Sequence, residues 1–395
     1  MTAGSEQTIM FEGAEIHLPL FLDHQSTTPL APEVRDTLFQ TYEQPGNQDS
    51  LTHAFGHAAR QTVQKAKRHI AALISAHADE IIFTSGATEA NNLALFGLVT
   101  PPYAGKQVIT TPIEHSSILS PLKEMEKQGL TVTFAAVDGQ GRVSLTDLES
   151  KISGQTALVT IQSANNEIGT IQPLSRIAAL CAAHGVPFHT DAVQAAATEK
   201  IDASLPGLTA LSLSAHKLYG PQGIGALFIR RGTSLSPTLF GGDQQNSRRP
   251  GTLPTALIAG FGTAAKLAHQ NRDHDHHSLA SLAQRLRDIL IQNPHVDVRF
   301  NGDPDNRLPG CLSLTFGRIE AEDLILEMPE LAISTGSACL SSSGGPSHVL
   351  TAIGLSPEEA GRTVRIGLGR YVTETECAFA ASIIVAAYER LLKTQ

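Results

Sequence analysis

The sequence predicts an α/β chain: a mainly parallel sheet covered by helices, with a smaller α+β domain after it. Three observations carry this. Between about residues 70 and 230, short apolar runs alternate with segments of helical spacing, the arrangement that gives parallel strands with helices on both faces. Near residue 255 the alternation stops and one long, nearly continuous helical pattern begins. The length, 395 residues, is too great for one small core and fits two domains. We therefore expect a large domain over 26–267 and a small domain made of 1–25 with 268–395.

In order along the chain, EIIFTS (80–85) is a short apolar strand, and TEANNLALFGL (88–98) follows it with helical spacing. KQVITT, TVTFAAV and TALVTIQSA read as further strands. PLSRIAALCAAHG sets Leu174, Ile177, Leu180 and Cys181 on one helical face, with Gly185 at its C-terminal end, where a left-handed residue commonly closes a helix. VPFHTDA, TALSLSA and GIGALFI complete the alternating region. After the long helical stretch over 255–292 come VDVRFNG, GCLSLTF and a C-terminal helix. There is no internal repeat and no low-complexity tract.

Composition narrows the function classes. Hydrophobic residues make up 41% and charged residues 17%, and the net charge is -9, so nothing favours nucleic acid or an anionic membrane as partner. The N-terminal stretch has acidic residues and no basic segment ahead of an apolar run, unlike a secretory signal. The longest apolar run, AFAASIIVAAY (378–388), falls well short of the roughly 20 residues that span a bilayer. We expect a cytoplasmic protein. Four cysteines without a CxxC pair argue against a disulfide framework or a zinc cluster.

Ligands in open α/β sheets sit beyond the carboxyl ends of the strands, and several polar groups fall there. After EIIFTS, Gly86, Ala87 and Thr88 open a helix; free N–H groups and a hydroxyl at such a start either cradle a phosphate or simply cap the helix. Asp191 follows VPFHT, as a turn cap or as a functional carboxylate. His216 and Lys217 follow TALSLS, and the glycines come after the lysine, which argues against a nucleoside-triphosphate loop. Together, a lysine, an aspartate and a phosphate cradle on neighbouring strands fit pyridoxal 5′-phosphate. That cofactor needs a Schiff-base lysine, a carboxylate that keeps the ring nitrogen protonated and an anion site. On this reading Lys217 is the lysine, Asp191 the ring partner, and Thr88, Ser214 and His216 phosphate ligands beside Ala87.

With these residues in place the chain resembles the NifS/IscS-type cysteine desulfurases, in the class V aminotransferase group of fold type I pyridoxal phosphate enzymes. FLDHQSTTP, FTSGATEANNLAL, IEHSSIL, NNEIGTIQP, HTDAVQA, SAHKLYGPQGIGAL, PGTLP, STGSACLSSSGGPSHVL and VRIGLGRY carry the resemblance, in the family's order and over nearly the whole chain. It implies a mainly parallel, seven-stranded type of sheet. It implies that His115 stacks on the cofactor ring and exchanges protons with substrate, that Asn166 lies near substrate and ring oxygen, and that Gln194 bonds the phenolic oxygen. Thr252 would reach the phosphate of a neighbouring protomer, implying a homodimer with shared sites. Arg365 would hold the substrate carboxylate in a bidentate pair, with Asn47 as a further substrate contact. The implied substrate is L-cysteine, which becomes L-alanine while its sulfur passes to an enzyme cysteine as a persulfide, for delivery to an acceptor protein.

The cysteines separate by setting. Cys181, Cys311 and Cys377 lie in helix or strand patterns and read as packing. Cys339 lies among small polar residues and glycines, a composition that suits a mobile, exposed thiolate. The stretch LFGGDQQNSRRPGTLP departs from the family pattern at Asp243, Asn246, Ser247 and Pro250, while keeping Arg249 and Thr252; Gln48 stands where proline is usual. RDHDHH places His274 and His277 on one helical face, but without a visible third ligand it reads as a solvated surface and no metal is expected. A selenocysteine lyase, another class V reaction, or a non-catalytic binding partner of the same fold are the alternatives.

Overall fold

The structure is a computed structural model and describes residues 7–335 and 345–394. The chain begins with an antiparallel hairpin, β1 (Gln7–Phe11) and β2 (Ala14–Leu18), then a short β3 (Leu20–Phe21). Two helices follow, α1 (Pro32–Tyr42) and α2 (Ala54–Leu73). The large sheet then unfolds in alternation with helices: β4 (Ile81–Thr84), α3 (Ala87–Leu98), β5 (Gln107–Thr110), α4 (Ser116–Glu126), β6 (Thr131–Phe134), α5 (Leu145–Lys151), β7 (Thr156–Thr160), α6 (Leu174–Ala183), β8 (Phe188–Asp191), β9 (Leu208–Ser214) and β10 (Gly225–Ile229). Its seven strands lie in the order β4-β10-β9-β8-β7-β5-β6. Among the described strands of this sheet only β10 runs against its neighbours, joined to β9 by residues 215–224, which include a single 3-10 turn. Gly185 at the end of α6 has φ +66, the left-handed closure expected there.

The long helical pattern is one helix, α7 (Thr255–Gln292), 38 residues without a break. It is followed by β11 (Val298–Asn301), β12 (Cys311–Phe316), α8 (Ala321–Leu326), β13 (Leu331–Ala332), β14 (Ser334–Thr335), α9 (His348–Ala352), α10 (Pro357–Gly361), β15 (Thr363–Gly367) and α11 (Glu374–Leu392). A second sheet, β11-β12-β15-β14, is antiparallel throughout.

Among the described residues α7 belongs to both of the two largest apolar cores. Its first half contributes Ile258, Phe261 and Ala265 to the core around the large sheet. Its second half contributes Leu279, Leu286 and Leu290 to the core around the small sheet. Ile16, Leu18, Leu20 and Leu22 of the N-terminal segment enter the second core, and β3 pairs with β13. The carboxyl ends of β8 and β9 open between the cores, so a cavity there has one wall from each sheet. Among the described residues no helix is long and apolar enough to cross a membrane.

Candidate active site

A cavity of about 700 Å³ lies at the carboxyl ends of the large sheet. Lys217 enters it from the turn after β9, and its Nζ donates to the backbone carbonyls of Gln25 and of Ser26, the latter at 2.7 Å. Asp191 closes the neighbouring strand. Its Oδ1 accepts from the Val193 N–H at 3.0 Å and its Oδ2 from the Asn91 amide at 2.7 Å. Strand pairing explains why these two residues meet: β8 and β9 are parallel neighbours, with Asp191 opposite Ser212.

The start of α3 faces the same space through Ala87 and Thr88. No side chain caps this helix start, so its backbone donors are available to an anion. A Cβ on Gly225 of β10 would stand 2.6 Å from the Gly86 backbone; glycine alone lets strand and turn meet this closely. Glu89 in the first turn does not compete for the anion position. It accepts from the Ser85 N–H and is held by Arg249 at 2.7 and 3.1 Å. Ser214 and His216 line the cavity beside this start. Burial, aided by Lys217, pushes His216 down to about 4, so its ring is neutral and hydrogen-bonds by its tautomer, here to Thr27 Oγ1 at 3.1 Å.

His115 caps α4 through Nδ1, which accepts from the Ser117 N–H at 3.1 Å. Burial lowers its pKa below the usual histidine value; Lys217 and His348 act the same way and Asp191 opposes them. Gln194 lines the cavity and donates to the Gln25 carbonyl at 3.0 Å. On the opposite wall Arg365, in β15, is only 3% exposed. Its Nη2 donates to Asp23 Oδ1 and Ser26 Oγ, both at 2.7 Å, and its Nη1 to the Asn166 carbonyl at 3.1 Å. Among the described residues its Nε is buried with no hydrogen-bond partner, while the guanidinium as a whole lines the cavity.

Ten of the residues singled out in the sequence thus line one cavity: Ala87, Thr88, His115, Asn166, Asp191, Gln194, Ser214, His216, Lys217 and Arg365. Asn47 and Thr252 do not line it within a single chain. Asn47 is engaged in a local turn, accepting from the Asp49 N–H at 3.0 Å, and Thr252 is exposed. Cys339 lies outside the described residues. Cys181, Cys311 and Cys377 are buried. His277 bonds the Asp273 carbonyl of its own helix, and His276 pairs with Glu199 at 3.0 Å.

Sequence reading missed five residues of this site. Asn91 holds Asp191, Asp23 holds Arg365, and His348 donates from Nε2 to the Glu114 carbonyl at 2.9 Å. Glu114, fully buried, is pushed up to about 8 by burial, against donors from Thr111 and Gln162. Glu167, likewise buried, rises to about 7 while bonded to Ser347. Asn91 had a usable signal: a polar residue among the buried Ala90, Leu93 and Ala94 of a helix. The others are joined only by distant chain segments. The departing loop also acquires a role. Gln245, Asn246 and Ser247 have φ of +53, +58 and +58, and asparagine tolerates this region better than most residues. The turn delivers the Gln245 amide to the N–H and C=O of Phe83, at 2.7 and 2.9 Å, covering the edge strand β4.

The donor set fits pyridoxal 5′-phosphate: an uncapped helix start for the phosphate, a buried carboxylate for the ring nitrogen and a lysine between them. A sheet of this topology with that cofactor is the fold type I class of pyridoxal phosphate enzymes. Residues 20–378 match the aminotransferase class-V family. Over 93% of this chain and 74% of the other, the sequence is 42% identical to a mitochondrial cysteine desulfurase of Saccharomyces cerevisiae. A NifS-like protein superposes with a TM-score of 0.86 at 29% identity, covering 94% of this chain and 99% of that one. A structure described as SspA in complex with cysteine superposes with a TM-score of 0.79 at 36% identity, covering 89% and 99%. The chain belongs to the aminotransferase class-V family, and within it to the cysteine desulfurases.

Proposed function

We propose that the protein converts L-cysteine to L-alanine and passes the sulfur to Cys339 as a persulfide, for delivery to an acceptor protein. The observation that carries this is the pairing of a Lys217/Asp191 wall with the Arg365 guanidinium across one cavity. One wall fits the cofactor, and the other fits a small amino-acid carboxylate.

Bound to Lys217, pyridoxal phosphate supplies an electron sink for a carbanion at the substrate Cα. Asp191 favours the protonated ring nitrogen by accepting its hydrogen bond. The α3 start, Thr88, Ser214 and His216 would hold the phosphate, and Gln194 the phenolic oxygen. Arg365 would pair with the substrate carboxylate, with Asn166 beside it. The Lys217 amine would take the Cα proton. The Cys339 thiolate would attack the substrate sulfur; the Cβ–S bond breaks with its electron pair left on carbon, Cβ takes up a proton, and Lys217 returns its proton to Cα to complete alanine. A thiol with pKa near ambient pH serves best in this role.

Thr252 and Asn47 fit the same scheme if a second chain closes the cavity. Exposed Phe39, Tyr42, Leu51 and Phe55 on and between α1 and α2 support a homodimer. The burial pattern of α7 supports a domain boundary near residue 268, inside a continuous helix, with 1–25 belonging to the small domain.

The test is single-turnover reaction with L-cysteine. We expect alanine and one persulfide per site, and neither from Cys339→Ser. Alanine release by Cys339→Ser at the wild-type rate would remove Cys339 from the reaction and favour a lyase, which needs no enzyme thiol when its substrate carries selenium. Light scattering checks the dimer.

A further inference from the structure

His115 and Asp191 stand on different elements, one capping α4 and the other ending β8. Two further side chains join them. Asn91 of α3 is fully buried, and its amide nitrogen donates to Asp191 Oδ2 at 2.7 Å and to Ser117 Oγ at 2.8 Å. Ser117 Oγ lies 2.8 Å from His115 Nδ1, the same nitrogen that the Ser117 backbone N–H approaches at 3.1 Å.

The direction of every bond in this chain follows from its two ends. A carboxylate only accepts, so Asn91 must turn its NH₂, not its oxygen, toward Asp191. The other amide hydrogen then goes to Ser117 Oγ, and the Ser117 hydroxyl hydrogen is left for His115. At the far end a backbone N–H only donates, so Nδ1 must accept. Both ends require the same arrangement, with no proton on Nδ1. A neutral imidazole with a bare Nδ1 carries its proton on Nε2.

We propose that Asn91 and Ser117 are positioning residues that hold His115 as its Nε2–H tautomer, so that its ring offers the cavity a hydrogen-bond donor and not a base. Proton removal from Cα then falls to Lys217 alone, which revises the proton-exchange role that the resemblance implies for His115. The groups around the ring agree. Lys217 and His348 disfavour an imidazolium, Asp191 favours one, and burial outweighs it. Glu114, next in the chain, turns its carboxyl away to Thr111 and the Gln162 N–H. The inference rests on the assignment of Asp191 and His115 to the cofactor site, but its readout does not depend on turnover.

The experiment is nitrogen-15 NMR of histidine-labelled full-length protein, with and without pyridoxal phosphate, the His115 signals being assigned by their loss in His115→Gln. In the wild type we expect Nε2 protonated and Nδ1 bare. Asn91→Asp sets a second carboxyl against Asp191; the two share one proton, the oxygen toward Ser117 becomes an acceptor, and the Ser117 hydroxyl turns to it, enlarging the Nδ1-protonated share of His115. Ser117→Ala removes the hydroxyl and enlarges the Nδ1-protonated share, and Ser117→Thr restores the wild-type pattern. A proton on Nδ1 in the wild type, or His115 signals unmoved in both Asn91→Asp and Ser117→Ala, overturns the inference. The wild-type spectrum and Ser117→Ala decide the matter if Asn91→Asp does not fold. Expected spectra in a protein that leaves L-cysteine unchanged would overturn the functional reading and leave this one standing.

Discussion

The two walls of the cavity solve opposite problems. The Lys217/Asp191 wall is made from adjacent strand ends of one parallel sheet, and its groups are held mostly by neutral partners: carbonyls for Lys217, an amide and a backbone N–H for Asp191. The Arg365 wall comes from the second sheet, and its cation is neutralised by Asp23, far away at the start of the chain. The first wall fits a resident cofactor, whose charges complete it. The second carries its own counter-ion, so its cation is compensated with or without a bound anion.

Variants on each wall test that contrast. The largest effect is expected from Lys217→Ala, which would remove both the proposed covalent anchor and the proposed Cα base. Alanine formation should fall by about 10³-fold or more, and the cofactor absorbance should be lost on gel filtration. Retention of the chromophore through denaturation would break the assignment. Asp191→Asn should follow, with a loss of about 10²-fold or more in kcat and little change in KM, since it acts on the ring and not on substrate.

On the other wall, Arg365→Lys keeps the charge but not the forked geometry. KM for L-cysteine should rise about tenfold or more while the cofactor spectrum stays unchanged. Asp23→Ala leaves the Arg365 cation buried without its counter-ion. Because Asp23 is partly exposed, we expect a loss of about 2 to 3 kcal/mol in chemical denaturation, below the usual cost for a fully buried pair. No loss of stability would show that Ser26 and the Asn166 carbonyl suffice.

The pH dependence of stability separates buried bases from buried acids. His189, between Thr160 and Ser212 in the large sheet, is pushed down to about 3 by burial, and His216 to about 4. The unfolded chain binds protons at these sites that the folded chain refuses, so stability falls as pH drops from 6.5 toward those values. Glu114 and Glu167 act in the other direction. With folded values raised from 4.5 to about 8 and about 7, they stay protonated when folded, and stability falls as pH rises from 4.5 through those values. Each group contributes at most about 1.4 kcal/mol per pH unit inside its window. In thermal melts of cofactor-free protein, Glu114→Gln should flatten the alkaline side and leave the acid side unchanged. The smallest effect belongs to His277→Ala on the exposed face of α7, which should shift stability by no more than about 0.5 kcal/mol.

Legibility in the sequence followed chain distance. The alternation of β4 to β9 with helices was readable, because periodicity and strand length are local. The same locality placed Lys217, Asp191 and Thr88 at strand ends. The N-terminal hairpin, α1 and α2 were not read, since residues before about 70 gave no such alternation. The unbroken run of α7 through both cores was visible as a pattern, but its service to two cores was not.

What the sequence determined by itself is the set of groups proposed to hold the cofactor: a lysine, a carboxylate and a helix start that follow local strand patterns. What only the tertiary structure decided is how those groups are held and which way their protons point. Asn91 reaches Asp191 across 100 residues, and Arg365 reaches Asp23 across 342. Contacts of that span leave no trace in local periodicity, because they exist only after two cores have packed and brought their edges to one cavity.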